Sequence, residues 1–214
     1  MENYPATFTD SFGTEETAIS NDSSVLRTKL RGVCFSCTDF EFEPDSGTNP
    51  ELLKAFTLDN NQILTNCKIG LTMPVWIIEN QRQVVGTLTV NVGFGVRNPL
   101  FEPELSIELN CEIGRFSSPS FHTDFEGALL KIQSQLPAGA CLKTCINCLY
   151  SDYNPAGTSL FGSLMCFRNI KSEYLKVKSK TDFWGVAERY DRVVQETYVC
   201  LEFERRMQGT GYRG

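Results

Sequence analysis

Histidine is nearly absent from this 214-residue chain: His122 is the only one. That scarcity excludes histidine-rich metal centres and leaves a Ser–His–acid or Cys–His site one imidazole to recruit. His122 stands just before a helix-start signal, with no cysteine or serine at a supporting spacing, so it reads as a helix-entry residue. Long apolar runs are missing too. The longest compact cluster, Met73 to Ile78, falls far short of the ~20 residues that cross a bilayer. The opening MENYPATFTD has no basic and apolar leader pattern, so the expectation is a cytoplasmic protein with no membrane association. No GxxxxGK[ST] loop occurs. A literal GxGxxG, Gly209 to Gly214, ends the given sequence with no helix after it to face a pyrophosphate.

A basic excess is also lacking. The chain carries 26 acids against 20 bases, and five of the acids with no Lys or Arg lie in residues 1–26. The remainder is close to neutral, which argues against a nucleic-acid-binding domain. A modest surplus, ten Lys and Arg against seven acids over residues 168–213, reads as a solvated face. A nucleic-acid reading would need Tyr150, Tyr153 and Phe167 as stacking platforms beside Lys171, Lys176 and Lys178. Those rings fit a core better.

What is present is a globular share of apolar residues, 41%, with strand-like patterning. Residues 1–26, polar and acidic with scattered aromatics, predict a disordered tail, and 27–214 a single α+β domain. Val25–Phe42 reads as one strand or two, up to a turn signal at Pro44–Gly47. Asn49-Pro50-Glu51 supplies a cap, an N1 proline and a first-turn acid for a short helix through Phe56. Cys67–Ile78 and Gln83–Phe94 read as a hairpin about Glu79-Asn80-Gln81-Arg82. Leu105–Ile113 alternates apolar and polar, as a strand with one wet side must. Thr123-Asp124-Phe125-Glu126 is a capping box for the main helix, about 124–136, which must lie on a mostly antiparallel sheet. A second helix is expected near 182–194, capped by Thr181 and weakened by Gly185. Cys141–Tyr153, Leu164–Val177 and Glu196–Arg206 read as strands.

Nine cysteines, an odd number without an export signal, do not suggest a disulfide framework. Several fit as small buried hydrophobes, and their grouping also fits a zinc site. Cys145 and Cys148 have the spacing at which a tight turn brings two sulfurs onto one tetrahedral ion, and Cys166 and Cys200 complete a four-thiolate set from two later segments. Cys141 is a substitute for one of them. Cys34 and Cys37 sit in a strand pattern, where their side chains point to opposite faces, and read as structural. A thioredoxin-like site would need a helix after the CxxC, and neither pair has one. Glu196, Glu202 and Glu204 share one face of the expected last strand, the pattern of a wet sheet surface.

The stretch Cys145 to Gly157 (CINCLYSDYNPAG) resembles a family of uncharacterised bacterial proteins, cyanobacterial ones among them. So do Leu164 to Arg168, Val194 to Cys200, Phe203 to Arg206 and Gly209 to Gly214. The resemblance covers the C-terminal half. It departs at Leu201, where the pattern has proline after the cysteine. It implies bacterial origin, no established activity, and one shared local structure for the cysteines and the SDY–PAG turn. Two functions compete: a protein-binding accessory module with a structural zinc, and a zinc- or thiol-dependent hydrolase around Cys145, Cys148, Asp152 and Cys166, with Asp152 or Glu196 beside an open ligand position.

Overall fold

The computed structural model describes residues 1–95, 103–119, 124–157, 159–207, 209–210 and 212. His122, Thr123, Gly211, Arg213 and Gly214 lie outside these residues. The strands are β1 (Glu2–Asp10), β2 (Gly13–Asn21), β3 (Leu26–Leu30), β4 (Val33–Cys37), β5 (Glu43–Pro44), β6 (Cys67–Glu79), β7 (Arg82–Phe94), β8 (Glu104–Cys111), β9 (Gly114–Ser117), β10 (Cys141–Leu142), β11 (Ser151–Asp152), β12 (Leu164–Cys166) and β13 (Arg192–Val194). The helices are α1 (Pro50–Leu53), α2 (Phe125–Gln133), α3 (Lys171–Tyr174) and α4 (Lys180–Trp184). Strand outweighs helix, 41% against 16%, so the α+β chain is mostly antiparallel sheet with few helices.

One antiparallel sheet runs β5-β4-β3-β2-β1-β6-β7-β8-β9, with β10 also on β6. Period-2 alternation builds its dry face: Ile69, Leu71, Met73, Val75 and Ile77 from β6 face Val84, Leu88, Val90 and Val92 from β7 and Leu105, Ile107 and Leu109 from β8, all buried. Threonines, Asn91 and Lys68 occupy the opposite face. Helix α2 covers β8 and β9 with Phe125, Ala128, Leu129 and Ile132, all fully buried. Its N-cap is Asp124, whose carboxylate accepts from the Gly127 amide at 2.6 Å, one residue after the expected Thr123. Phe125 packs on Phe40 and Phe161 at ring-centroid distances of 5.5 and 4.5 Å, joining the helix to loops from both halves of the chain.

The expected disordered tail is a correction. Residues 2–21 form the β1–β2 hairpin, and β1 pairs with β6 near the middle of the sheet. Average composition concealed the alternation of Tyr4, Ala6 and Phe8, which puts three apolar side chains into the core. The acids find partners. Asp10 receives two hydrogen bonds from the Arg31 guanidinium, each 2.7 Å, and Glu15 accepts the Arg31 amide. Burial works to raise the Asp10 carboxyl, yet the Arg31 guanidinium outweighs it and holds the pKa below its ordinary value. Arg31 also lies against the rings of Phe8, Phe12 and Phe56 at 5.3–5.6 Å.

The β1–β6 ladder spans only Ala6–Thr9 against Lys68–Leu71. Continued, the same register would bring in Pro5 and then Pro74, which have no N–H to donate. Strand β10 takes over that side of β6 at Ile77 and Ile78. The interval holds a cleft of about 230 Å³ lined by Tyr4, Asn21, Trp76, Gln195 and Tyr198 among others.

In the C-terminal lobe the expected strands are shorter than the patterning suggested. Strand β12 ends at Cys166, and a 3-10 turn and α3 follow. Here Phe167 stacks on Tyr174 at 4.8 Å with Phe183 edge-on, a second small core that favours helical turns over extension. The helix expected near 182–194 is α4, capped by Ser179 rather than Thr181 and ended at Gly185, then a 3-10 turn and β13. Residues 196–206 are not a strand. Their carbonyls serve the 145–149 turn instead, Tyr198 accepting from Cys145 and Glu204 from Leu149.

Arg31→Met leaves the buried Asp10 carboxylate without its partner and is expected to cost about 3 kcal/mol in urea unfolding. Arg27→Met, which breaks the solvent-facing pair with Asp22, is expected to cost less than about 1 kcal/mol.

Candidate metal centre

The four cysteines singled out by spacing are all buried, and Cys148, Cys166 and Cys200 each act electrostatically on Cys145. Residues 145–147 form one 3-10 turn, and the Cys148 amide closes on the Cys145 carbonyl at 3.1 Å. Ser151 fastens this turn from beneath, its hydroxyl donating to the carbonyls of Cys145 and Cys148. The same Ser151 is the register partner of Cys166 across β11 and β12. Cys200 arrives with the last segment, which the Cys145 amide grips through the Tyr198 carbonyl at 2.9 Å and which bridges back at Cys148 and Arg205. All four side chains are buried, 3–7% exposed.

The thiols act on one another electrostatically. Burial pushes the Cys145 thiol far up, and Cys148, Cys200 and Cys166 push it further, against a smaller pull from Arg192. Burial also raises Cys166, with Cys148 and Cys200 adding to it and Arg168 opposing. Both shifts favour the protonated thiol at Cys145 and Cys166 over the nucleophilic thiolate. Among the described residues no three His, Cys, Asp or Glu side chains are spaced to hold a metal ion.

Cys141 stands apart: it pairs with Ile78, and the influences on its thiol are burial and Arg205. Cys34 is exposed and Cys37 buried, the two faces that their strand spacing implies.

The acids are already engaged. Asp152, 1% exposed, accepts the Tyr174 hydroxyl at 2.7 Å and the Tyr153 amide at 2.9 Å. Glu196 is equally buried and accepts from the Tyr153 hydroxyl at 3.1 Å and the Gly162 amide at 2.7 Å. Burial raises its pKa to about 7 despite those bonds. Glu202 and Glu204 instead meet Lys171 at the surface, at 3.3 and 3.4 Å, so the three glutamates do not share a face. Tyr150, Tyr153 and Phe167 are buried rings of the core.

Two arginines beside the thiols had no signal in the sequence. Arg192 is the cross-strand partner of Cys166, its guanidinium on the Tyr198 ring at 4.8 Å and bonded to the Tyr198 hydroxyl at 2.9 Å. Arg168 is held by Asp191 at 2.8 Å. Only the pairing of β12 with β13 could have revealed Arg192, and three-residue strands leave no periodic trace.

Because the folded-state pKa of Glu196 lies above its ordinary value near 4.5, its stabilising contribution is full below that pH and lost as pH rises to about 7. Unfolding free energy is expected to fall across that window by up to roughly 3 kcal/mol relative to Glu196→Gln, measured by urea titration at pH 4–8. With an aromatic disulfide reagent, the exposed Cys34 is expected to react first in native protein, and Cys34→Ser to abolish that phase.

No curated protein and no solved structure matches the chain. Residues 2–151, from β1 into β11, match a family of unknown function that includes Cys145 and Cys148 in its span and leaves Cys166 and Cys200 beyond it. The chain belongs to this family of unknown function, DUF6304.

Proposed function

We propose that this protein is a non-catalytic, protein-binding accessory module of the bacterial cytoplasm whose C-terminal lobe is closed by a structural zinc ion on Cys145, Cys148, Cys166 and Cys200. What supports the reading is that four cysteines from three separate segments are buried and that Cys148, Cys166 and Cys200 all raise the thiol of Cys145. Four sulfur donors fill a tetrahedral shell and leave no position for a reacting water, which marks a structural site rather than a hydrolytic one. The lobe has few ordered strands, three of two or three residues, and a core of limited size, the situation in which a metal cross-link adds most to folding.

Nine free thiols suit a reducing compartment. Trp184, Tyr190, Val193, Leu201 and Met207, all of this lobe, are large apolar side chains left exposed, the residue types that partner proteins cover. The hydrolase reading lacks comparable support, because Asp152 and Glu196 are buried among donors that already occupy them. Among the described residues no helix is long and apolar enough to cross a membrane.

Metal analysis of reduced, tag-free protein is expected to give one zinc per chain, with four thiols released to modification only after chelation. Cys148→Ser is expected to lower zinc retention and loosen the lobe to protease. Zinc-free protein with unchanged unfolding free energy would overturn the reading.

A further inference from the structure

The cleft of about 230 Å³ left where β1 and β6 part has Tyr4, Met73, Pro74, Trp76, Gln195 and Tyr198 among its walls. Tyr4 and Gln195 are buried, whereas Trp76 stays 39% exposed. The amide nitrogen of Gln195 is buried without a hydrogen-bond partner. That carboxamide is not free to invert. The Ser23 amide donates to Asn21 Oδ1 at 2.8 Å, which leaves Asn21 Nδ2 as the donor to Gln195 Oε1, also at 2.8 Å. A backbone N–H thus sets both side-chain amides in turn, and inverting Gln195 would put two N–H groups face to face. Asn21 is itself a wall of the cleft, so the amide end of Gln195 that bonds it stands at the cleft as well. A buried donor with no acceptor is rare in folded proteins and calls for a cause.

Charge about the cleft selects a neutral occupant. Glu2 places a carboxylate on its wall, bonded by the Tyr4 hydroxyl, and among the described residues no lysine or arginine lines it. An anion finds no partner there. A cation meets Arg192, whose guanidinium already lies on the Tyr198 ring at 4.8 Å. A cavity of about 150 Å³ takes up benzene. The volume here suits one substituted ring and falls below the ~300 Å³ at which drug-sized sites begin. Tyr4, Trp76 and Tyr198 offer that ring aromatic surface.

We propose that this cleft binds a small, uncharged heteroaromatic amide the size of a pyrimidine base, its ring among Tyr4, Trp76 and Tyr198, its carbonyl accepting from Gln195 Nε2 and its N–H donating to Glu2. The carbonyl answers the orphaned donor. The N–H uses a lone pair of Glu2 that Tyr4 leaves open, since a carboxylate has about four acceptor positions. This site does not depend on a metal in the C-terminal lobe.

The test uses the full chain carrying Trp184→Phe, which leaves Trp76 as the sole tryptophan of the two, so that its emission reports on the cleft. Uracil and nicotinamide are the probes, D-glucose and uridine monophosphate the contrasts. Both probes are expected to change the emission saturably at constant lifetime, the mark of a bound complex rather than of collisions. Gln195→Met is expected to weaken binding about tenfold, the worth of one hydrogen bond, and Glu2→Ala about fivefold. Glu2 is exposed, so its variant serves if Gln195→Met does not fold. Uridine monophosphate is expected to bind at least about tenfold more weakly than uracil, because its phosphate meets only Glu2. No saturable change with either probe overturns the proposal, as does a response to D-glucose alone. Equal affinity in parent and variants, or for uracil and its nucleotide, overturns the roles given to Gln195 and Glu2.

Discussion

A sheet with one dry face must have that face covered, and this demand governs the course of the chain. The long β6–β7 hairpin sends every second side chain to the same side, and β1 and β8 extend that surface on either flank. No single element is broad enough to shield it. Helix α2 covers one end, the Phe40–Phe125–Phe161 group the middle, and residues from the C-terminal lobe reach back over the rest. Buried polar links accompany this closure. Asn21 on β2 donates to Gln195 at 2.8 Å, a contact that joins positions 174 residues apart.

In the C-terminal lobe the balance differs. Its three strands are too short to bury much, and its backbone donors are spent on turns. Order there comes from aromatic stacking on one side and from the sulfur-rich turn on the other. Buried carboxylates at Asp152 and Glu196 stitch the loops between them by collecting amide and phenol donors. Lone pairs facing several N–H groups do for irregular backbone what a ladder does for a strand.

Much of the sheet was legible in the sequence, because an alternating strand with one wet side announces itself in a few residues. Strands β6, β7 and β8, the β6–β7 turn and the α1 start at Asn49-Pro50-Glu51 follow local rules and lie where those rules put them. The β1–β2 hairpin was missed because averaged acidity outweighed the alternation of Tyr4, Ala6 and Phe8, and because the cation that answers Asp10 stands at position 31. Residues 164–177 and 196–206 carried strand-like patterns, but ring packing and long-range hydrogen bonds decided their shape. Cysteine spacing drew attention to four side chains that all turn out buried in the C-terminal lobe, because CxxC is a local signal. The arginine across from Cys166 was invisible, since its place is set by a pairing of two three-residue strands.

Pro5 and Pro74, one on each side of the β1–β6 junction, act as stops. Sliding the N-terminal hairpin along β6 to lengthen the contact would thread an imide where an amide is required, while a one-step slip would turn Phe8 to water. The alignment is therefore unique before any later segment arrives. The short β1–β6 ladder thus fixes the frame in which the rest of the N-terminal strands, β2 to β5, join the central hairpin.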